Sequence, residues 1–194
     1  RRGYRVVVAE QAEMLTDVGA GIQLSPNATL ILQGLGVAER LITRVVVPEG
    51  LSVRSAGSGA EIAWMPIGHA MEFRYGAPYW MLHRGDLQSA MVEAVAEQPD
   101  VVLTLDTKVE DFAIHPKGIT AQLRDASGTR EERVPALIGA DGIWSTVRTQ
   151  LGDRSKPEFR NRTAWRALLP ASAVPEEFRR PVTRLWLGRD AHLV

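Results

Sequence analysis

The stretch Leu137–Arg148, LIGADGIWSTVR, constrains this chain more than any other. It reads as a short buried strand, a tight Asp-Gly turn and the start of a helix. Leu137 and Ile138 are apolar, and Gly139 and Ala140 are small enough for close packing. Asp141 and Gly142 break the strand. Ser145 stands where a helix N-cap belongs, ahead of Thr146, Val147 and Arg148. A parallel strand that feeds a helix puts exposed N–H groups at one edge of a sheet, where ligands of open α/β sheets collect. An Asp there can accept hydrogen bonds from sugar hydroxyls, and a Gly lets the backbone approach a phosphate with no Cβ in the way. An ordinary strand-to-helix turn would carry the same residues, so this stretch alone leaves both readings open.

The flanking chain reads as α/β. Tyr4–Glu10, YRVVVAE, holds three consecutive valines, as in a parallel strand covered on both faces, and ends in the acid Glu10. In dinucleotide-binding folds an acid at a strand end bonds ribose hydroxyls; a solvated charge is the plainer reading. Residues 11–23 show no period and read as a loop. Ser25 as N-cap and Pro26 as first helical residue start a helix that Gly34 and Gly36 stop, and a short helix over residues 37–43 follows. Gly57-Ser58-Gly59 joins two strands, 51–55 and 61–65, in a hairpin. Residues 65–78 read as irregular. A strand over 79–82 leads through His83 and Arg84 into a helix over 85–98. An Arg just ahead of a helix start, which itself favours anions, suits a phosphate; a surface Arg is the alternative.

A buried-type strand spans 101–105. Three runs then alternate with turn signals: 108–114, 119–124 and 130–134, an antiparallel meander that runs into a strand over 136–140. Beyond residue 151 the chain turns polar and basic. Strands are expected over 163–169, over 182–187 and from Ala191 onward. The expected organisation is one domain over 1–155 and the opening of a second, mixed-sheet domain over 156–194.

The charge balance, 23 basic against 23 acidic residues, gives no electrostatic case for nucleic acid or an anionic membrane. The absence of Cys excludes disulfides, thiolate metal sites and a cysteine nucleophile. His69, His83 and His115 have no metal-ligand spacing with acids, so no metal site is expected. No apolar run reaches membrane-spanning length and the start lacks the apolar core of a signal peptide, so a cytoplasmic location is expected.

Four stretches taken together, VVVAE ending at Glu10, GAGIQLSPNA over 19–28, HRGDL over 83–87 and GADGIWSTVR over 139–148, resemble the FAD-dependent aromatic hydroxylases in order and separation. The branch they resemble most is that of the salicylate and 3-hydroxybenzoate hydroxylases. The resemblance implies a Rossmann-like FAD/NAD(P)-binding domain with an antiparallel meander, followed by a substrate sheet. It assigns Glu10 to the adenosine ribose, Gly21 to the flavin side of the cofactor and Arg84 to the flavin or its pyrophosphate. It further assigns the Val109 backbone to the adenine, and Asp141 with Gly142 to FAD. The implied reaction uses NADH or NADPH and O2, forms a C4a-hydroperoxyflavin and hydroxylates a small aromatic substrate. His192, on a strand of the substrate sheet, is the nominated catalytic base, and Trp165 and Trp186 are candidate pocket walls. A homodimer is a candidate assembly. The family's GxGxxG turn would lie before Arg1 and its later cofactor segment beyond Val194, so the chain is expected to be the middle of such an enzyme and inactive alone. The runner-up readings are a related FAD oxidoreductase that does not hydroxylate, such as a reductase or halogenase, and a chain that binds no flavin.

Overall fold

The computed structural model describes residues 3–16 and 20–194. In chain order its elements are β1 (Val6–Ala9), β2 (Gly21–Leu24), α1 (Pro26–Leu35), α2 (Ala38–Leu41), β3 (Gly50–Ser55), β4 (Glu61–Pro66), α3 (His69–Tyr75) and β5 (Trp80–His83). There follow α4 (Arg84–Ala96), β6 (Val101–Thr104), β7 (Lys108–His115), β8 (Gly118–Asp125), β9 (Gly128–Val134), α5 (Thr146–Gln150), β10 (Val182–Leu187) and β11 (His192–Leu193). The architecture is mixed α/β with an antiparallel meander, as the sequence leads one to expect. The chain forms two compact units, Arg1–Thr16 with Val95–Trp165, and Asp17–Ala94 with Arg166–Val194.

In the first unit the valine run of β1 pairs in parallel with β6, Val6 opposite Val101 through Ala9 opposite Thr104. The meander β7-β8-β9 is set by its turns. At Gly118 φ is +140° and a Cβ would stand 2.7 Å from the Val134 carbonyl oxygen, so only glycine fits. At the second turn Asp125 Oδ1 accepts the Ser127 N–H at 2.8 Å, the Asx geometry that favours Asp there. Ala121 and Leu123 are the buried side chains of β8.

The second unit holds the main core: Leu24, Leu32, Val37, Ala38, Leu41, Trp80, Leu82 and Ala90. Helix α1 begins at Pro26 and ends at Gly36, whose left-handed conformation (φ 69°) lets its N–H reach the Gln33 carbonyl at 2.9 Å. Ser25 stands at the N-cap, but its hydroxyl donates to the Asn27 side chain and caps no helix N–H. Thr29, fully buried, donates its hydroxyl to the Pro78 carbonyl at 2.7 Å and fastens the helix to the approach of β5. A four-stranded sheet runs β11-β10-β3-β4, with β10 parallel to β3 and both hairpins antiparallel. The strands after residue 155 therefore share a sheet with β3 and β4. The pair β2–β5 is antiparallel.

Four local expectations differ from the structure. Part of the expected loop over 11–23 is the strand β2, whose Ile22 and Leu24 turn inward; flanking glycine hid that alternation, and β2 exists because β5 pairs with it. Gly19 of the same stretch lies outside the described residues. The irregular span over 65–78 contains α3, which buries none of its side chains and so shows no apolar stripe. Residues 136–140 join no ladder among the described residues, and Ile138 is 87% exposed. The expected strand over 163–169 is likewise unpaired, with Trp165 92% exposed. Strand propensity without a neighbouring strand yields no ladder.

Candidate functional site

In the first unit, Asp141 and Ser145 close the amino end of α5 with their own side chains. Ser145 Oγ accepts the Arg148 N–H at 3.0 Å and donates its proton to Asp141 Oδ1 at 2.5 Å. Asp141 Oδ2 accepts the N–H groups of Thr146 and Val147 at 2.7 and 3.1 Å. The first-turn donors that a helix leaves open are thus satisfied within the loop. Arg148 ties the other side of the turn, donating from Nη2 to the Ile143 carbonyl at 2.7 Å. Gly142 has φ +75°, the region that favours glycine, and no atom stands within 4 Å of where its Cβ would be. Asp141 keeps accepting capacity at Oδ1 for a further donor.

Burial pushes the Asp141 carboxyl up, but the Ser145 hydroxyl and the Val147 and Thr146 N–H groups outweigh it and hold the group below the usual carboxylate range. A lowered folded pKa gives stabilisation that is complete above the unfolded value, about 3.9, and is lost as pH falls through the lower folded value. Amide-exchange protection factors at Thr146 and Val147, taken relative to the intrinsic rate at each pH, are therefore expected to fall only in acid, below about pH 4. Asp141→Asn should abolish that acid step; protection factors that change near neutrality instead would contradict the capping role.

Gly139 is fixed by packing. A Cβ there would stand 2.7 Å from Val147 Cβ and 2.8 Å from its Cγ1. Gly139→Ala is expected to destabilise the protein by about 1–3 kcal/mol in denaturant unfolding, the usual cost of overpacking. An unchanged midpoint would show that the Gly139 segment and α5 do not pack as described.

Glu10 follows β1, its N–H donating to the Thr104 carbonyl at 2.9 Å and its carbonyl accepting the Thr107 N–H at 2.9 Å. Its Oε1 accepts the Ala12 N–H at 2.8 Å, and Oε2 has no partner among the described residues. Thr107, buried, leads directly into Val109 on β7. Val109 pairs with Leu123, and the ladder shifts register between Val109 and Asp111, a bulge that interrupts pairing at Glu110. The same Glu110 offers its carbonyl to Gln150 Nε2 of α5 at 3.4 Å. The structure thus links Glu10 to β7 through Thr107, and β7 to the helix that follows the Asp-Gly turn. Thr107 carries no motif, and sequence reasoning missed it; Arg148 closes the Asp-Gly stretch, but its bond to the Ile143 carbonyl was not foreseen.

In the second unit Gly21 opens β2 opposite His83; a Cβ there would meet only the Leu82 carbonyl oxygen, at an ordinary 3.8 Å. The chain itself does not demand a glycine at that point. Arg84 is the first residue of α4, and its backbone N–H donates to the Ala20 carbonyl at 3.3 Å. Its side chain is exposed and has no partner among the described residues. His192 lies exposed on β11 opposite Leu187. Trp186, the neighbour of Leu187 on β10, points to the other face, where the Arg54 guanidinium stacks on it at 5.1 Å. Trp186 and His192 therefore do not share a wall. Among the described residues no three His, Asp or Glu side chains group as a metal site, and no helix is long and apolar enough to cross a membrane.

A valine-rich parallel pair ending in an acid, a meander beside it and an unpartnered Arg at a long helix's amino end are parts of a dinucleotide-binding α/β protein. The chain belongs to the FAD binding domain family, which it matches over residues 1–190. It is 34% identical over its full length to 3-hydroxybenzoate 6-hydroxylase 1 of Aquipseudomonas alcaligenes, covering 48% of that protein. It is 39% identical, again over all of this chain, to 3-amino-4-hydroxybenzoate 2-monooxygenase PtmB3 of Streptomyces platensis, covering 47% of it. The chain thus spans about half the length of the curated relatives it matches. Among solved structures, PqsL of Pseudomonas aeruginosa in complex with 2-aminobenzoylacetate superposes with a TM-score of 0.70 at 24% identity, over 95% of this chain and 48% of that one. FAD is the family's cofactor, and the residues present suit it: Glu10 keeps a free acceptor oxygen, Arg84 a free guanidinium, and Gly142 an open backbone.

Proposed function

We propose that this protein works in an FAD-dependent monooxygenase that hydroxylates a small aromatic acid with NAD(P)H and O2. The observation that carries the reading is similarity over the whole of this chain, 34–39% identical, to about half of hydroxylases whose names specify hydroxybenzoates. In this reading Glu10 accepts from the adenosine ribose through Oε2, and the backbone at Val109, loosened by the bulge, meets the adenine. Arg84 and the amino end of α4 hold the pyrophosphate or the flavin edge. Gly21 allows close approach of the cofactor to β2. Asp141 orders the turn that presents Gly142 and accepts one further hydroxyl at Oδ1. Residues to about 155 serve chiefly the cofactor, and those from 156 begin the substrate sheet, which they share with β3 and β4.

Bound FAD supplies the redox chemistry that lets O2 react with an aromatic ring. His192 accepts the phenol proton at a ring nitrogen and so raises the electron density of the ring. Leu185 and Leu187 give its face of the sheet an apolar character that suits an aromatic ring. The test is NAD(P)H oxidation by the purified FAD-loaded protein, with and without aromatic acids, with product analysis. Stimulation accompanied by a hydroxylated product supports the reading. NAD(P)H oxidation that no aromatic acid stimulates would favour the non-hydroxylating oxidoreductase.

A further inference from the structure

Helix α4 carries two acids on one face, Asp86 in its first turn and Glu93 two turns further on. Arginines in and just after α2 hold both. Arg40 Nη1 meets Glu93 Oε2 at 3.7 Å. Arg44 reaches both acids: Glu93 Oε1 from Nη2 at 3.8 Å, and Asp86 Oδ1 from Nη1 at 3.9 Å. The Arg44 backbone is anchored in turn, its N–H donating at 2.8 Å to the carbonyl of Leu41, a fully buried core residue. The Asp86 carboxylate has no other partner among the described residues. All of these residues lie within the second unit.

The position of Asp86 sets a conflict. An acid in the first turn of a helix draws on the same positive end that an anionic ligand uses. Arg84, two residues earlier, opens that helix with an exposed guanidinium. One turn rises only about 5.4 Å, well inside the screening distance of about 10 Å at 0.1 M salt. A free carboxylate at Asp86 would therefore repel an anion held by Arg84 and compete for the helix end. Arg44 removes the conflict, because it cancels the charge and holds the carboxylate against α2. We propose that Arg44 is a positioning residue for the cofactor pyrophosphate: by engaging Asp86 it keeps Arg84 and the amino end of α4 open to the anion. This inference rests on the cofactor role proposed above for Arg84. The ion pairs are part-exposed, so each adds little to stability, and the variants below should unfold near the unmutated midpoint.

The experiment is titration of FAD into flavin-free protein at about 0.02 M and about 0.5 M salt. Arg44→Ala is expected to weaken FAD binding about 3- to 10-fold at low salt, and the deficit should shrink to less than about twofold at high salt. Asp86→Asn alone should bind FAD at least as tightly as the unmutated protein. Added to Arg44→Ala, it should bring the affinity back to within about twofold. Glu93→Gln breaks the other pairs between α2 and α4 but leaves the helix end alone, so its affinity should stay within about twofold. An unaltered affinity in Arg44→Ala, a deficit that salt does not reduce, or one that Asp86→Asn does not restore would overturn the inference and leave the proposed function standing. An equal loss in Glu93→Gln would assign Arg44 to the packing of α2 on α4 and overturn it likewise. Failure of the unmutated protein to take up FAD would overturn both.

Discussion

His192→Asn is expected to lower the turnover of aromatic hydroxylation by about 10²- to 10⁴-fold, the usual contribution of a positioned acid or base. The side chain sits at the end of an exposed two-residue strand, so its removal takes nothing from a core. FAD affinity and unfolding midpoint should therefore match those of the unmutated protein. The loss should fall on turnover and leave KM for the aromatic acid within a few-fold, as for a group that acts on the transition state and not on binding. A variant with full turnover would remove His192 from the reaction. A variant with normal turnover but raised KM would make it a binding residue.

Arg84→Ala is expected to weaken FAD binding by about 10- to 100-fold, equivalent to one or two charge-assisted hydrogen bonds. The expectation depends on two features that occur together. The guanidinium is exposed with no described partner, and it stands at the amino end of a thirteen-residue helix, where the backbone already favours an anion. Because the side chain holds no other part of the fold, stability without FAD should not change. Arg84→Lys should restore part of the affinity, since the charge returns without the planar fork. Equal affinity in Arg84→Ala and the unmutated protein would place the residue outside the cofactor site.

Much of the fold could be read from residues that act locally. Pro26 and Gly36 bracket α1, Gly59 turns the β3–β4 hairpin, and Asp125 with Gly128 turns β8 into β9; each signal works within a few residues. What could not be read depends on a distant partner. β2 is a strand because β5 lies beside it, and residues 136–140 and 163–169 join no ladder although their composition suits one. Helix α3 was hidden because it presents no apolar face, leaving only Gly68 and Gly76 at its ends as signals.

The same division holds at the candidate site. Glu10, Arg84 and the Asp-Gly turn were visible as charged or glycine residues at element boundaries. Their surroundings were not. Nothing in the sequence says that the Asp141 carboxylate folds back on the N–H groups of Thr146 and Val147. Nor does a pattern join Arg44, past the end of α2, to Asp86 in the first turn of α4.

Titration of FAD into flavin-free protein, followed by quenching of the flavin fluorescence, tests the account most directly. Saturable binding of one FAD per chain, weakened in both Arg84→Ala and Glu10→Gln, is the predicted result. No uptake of FAD, or uptake with the same affinity in both variants as in the unmutated protein, would contradict it.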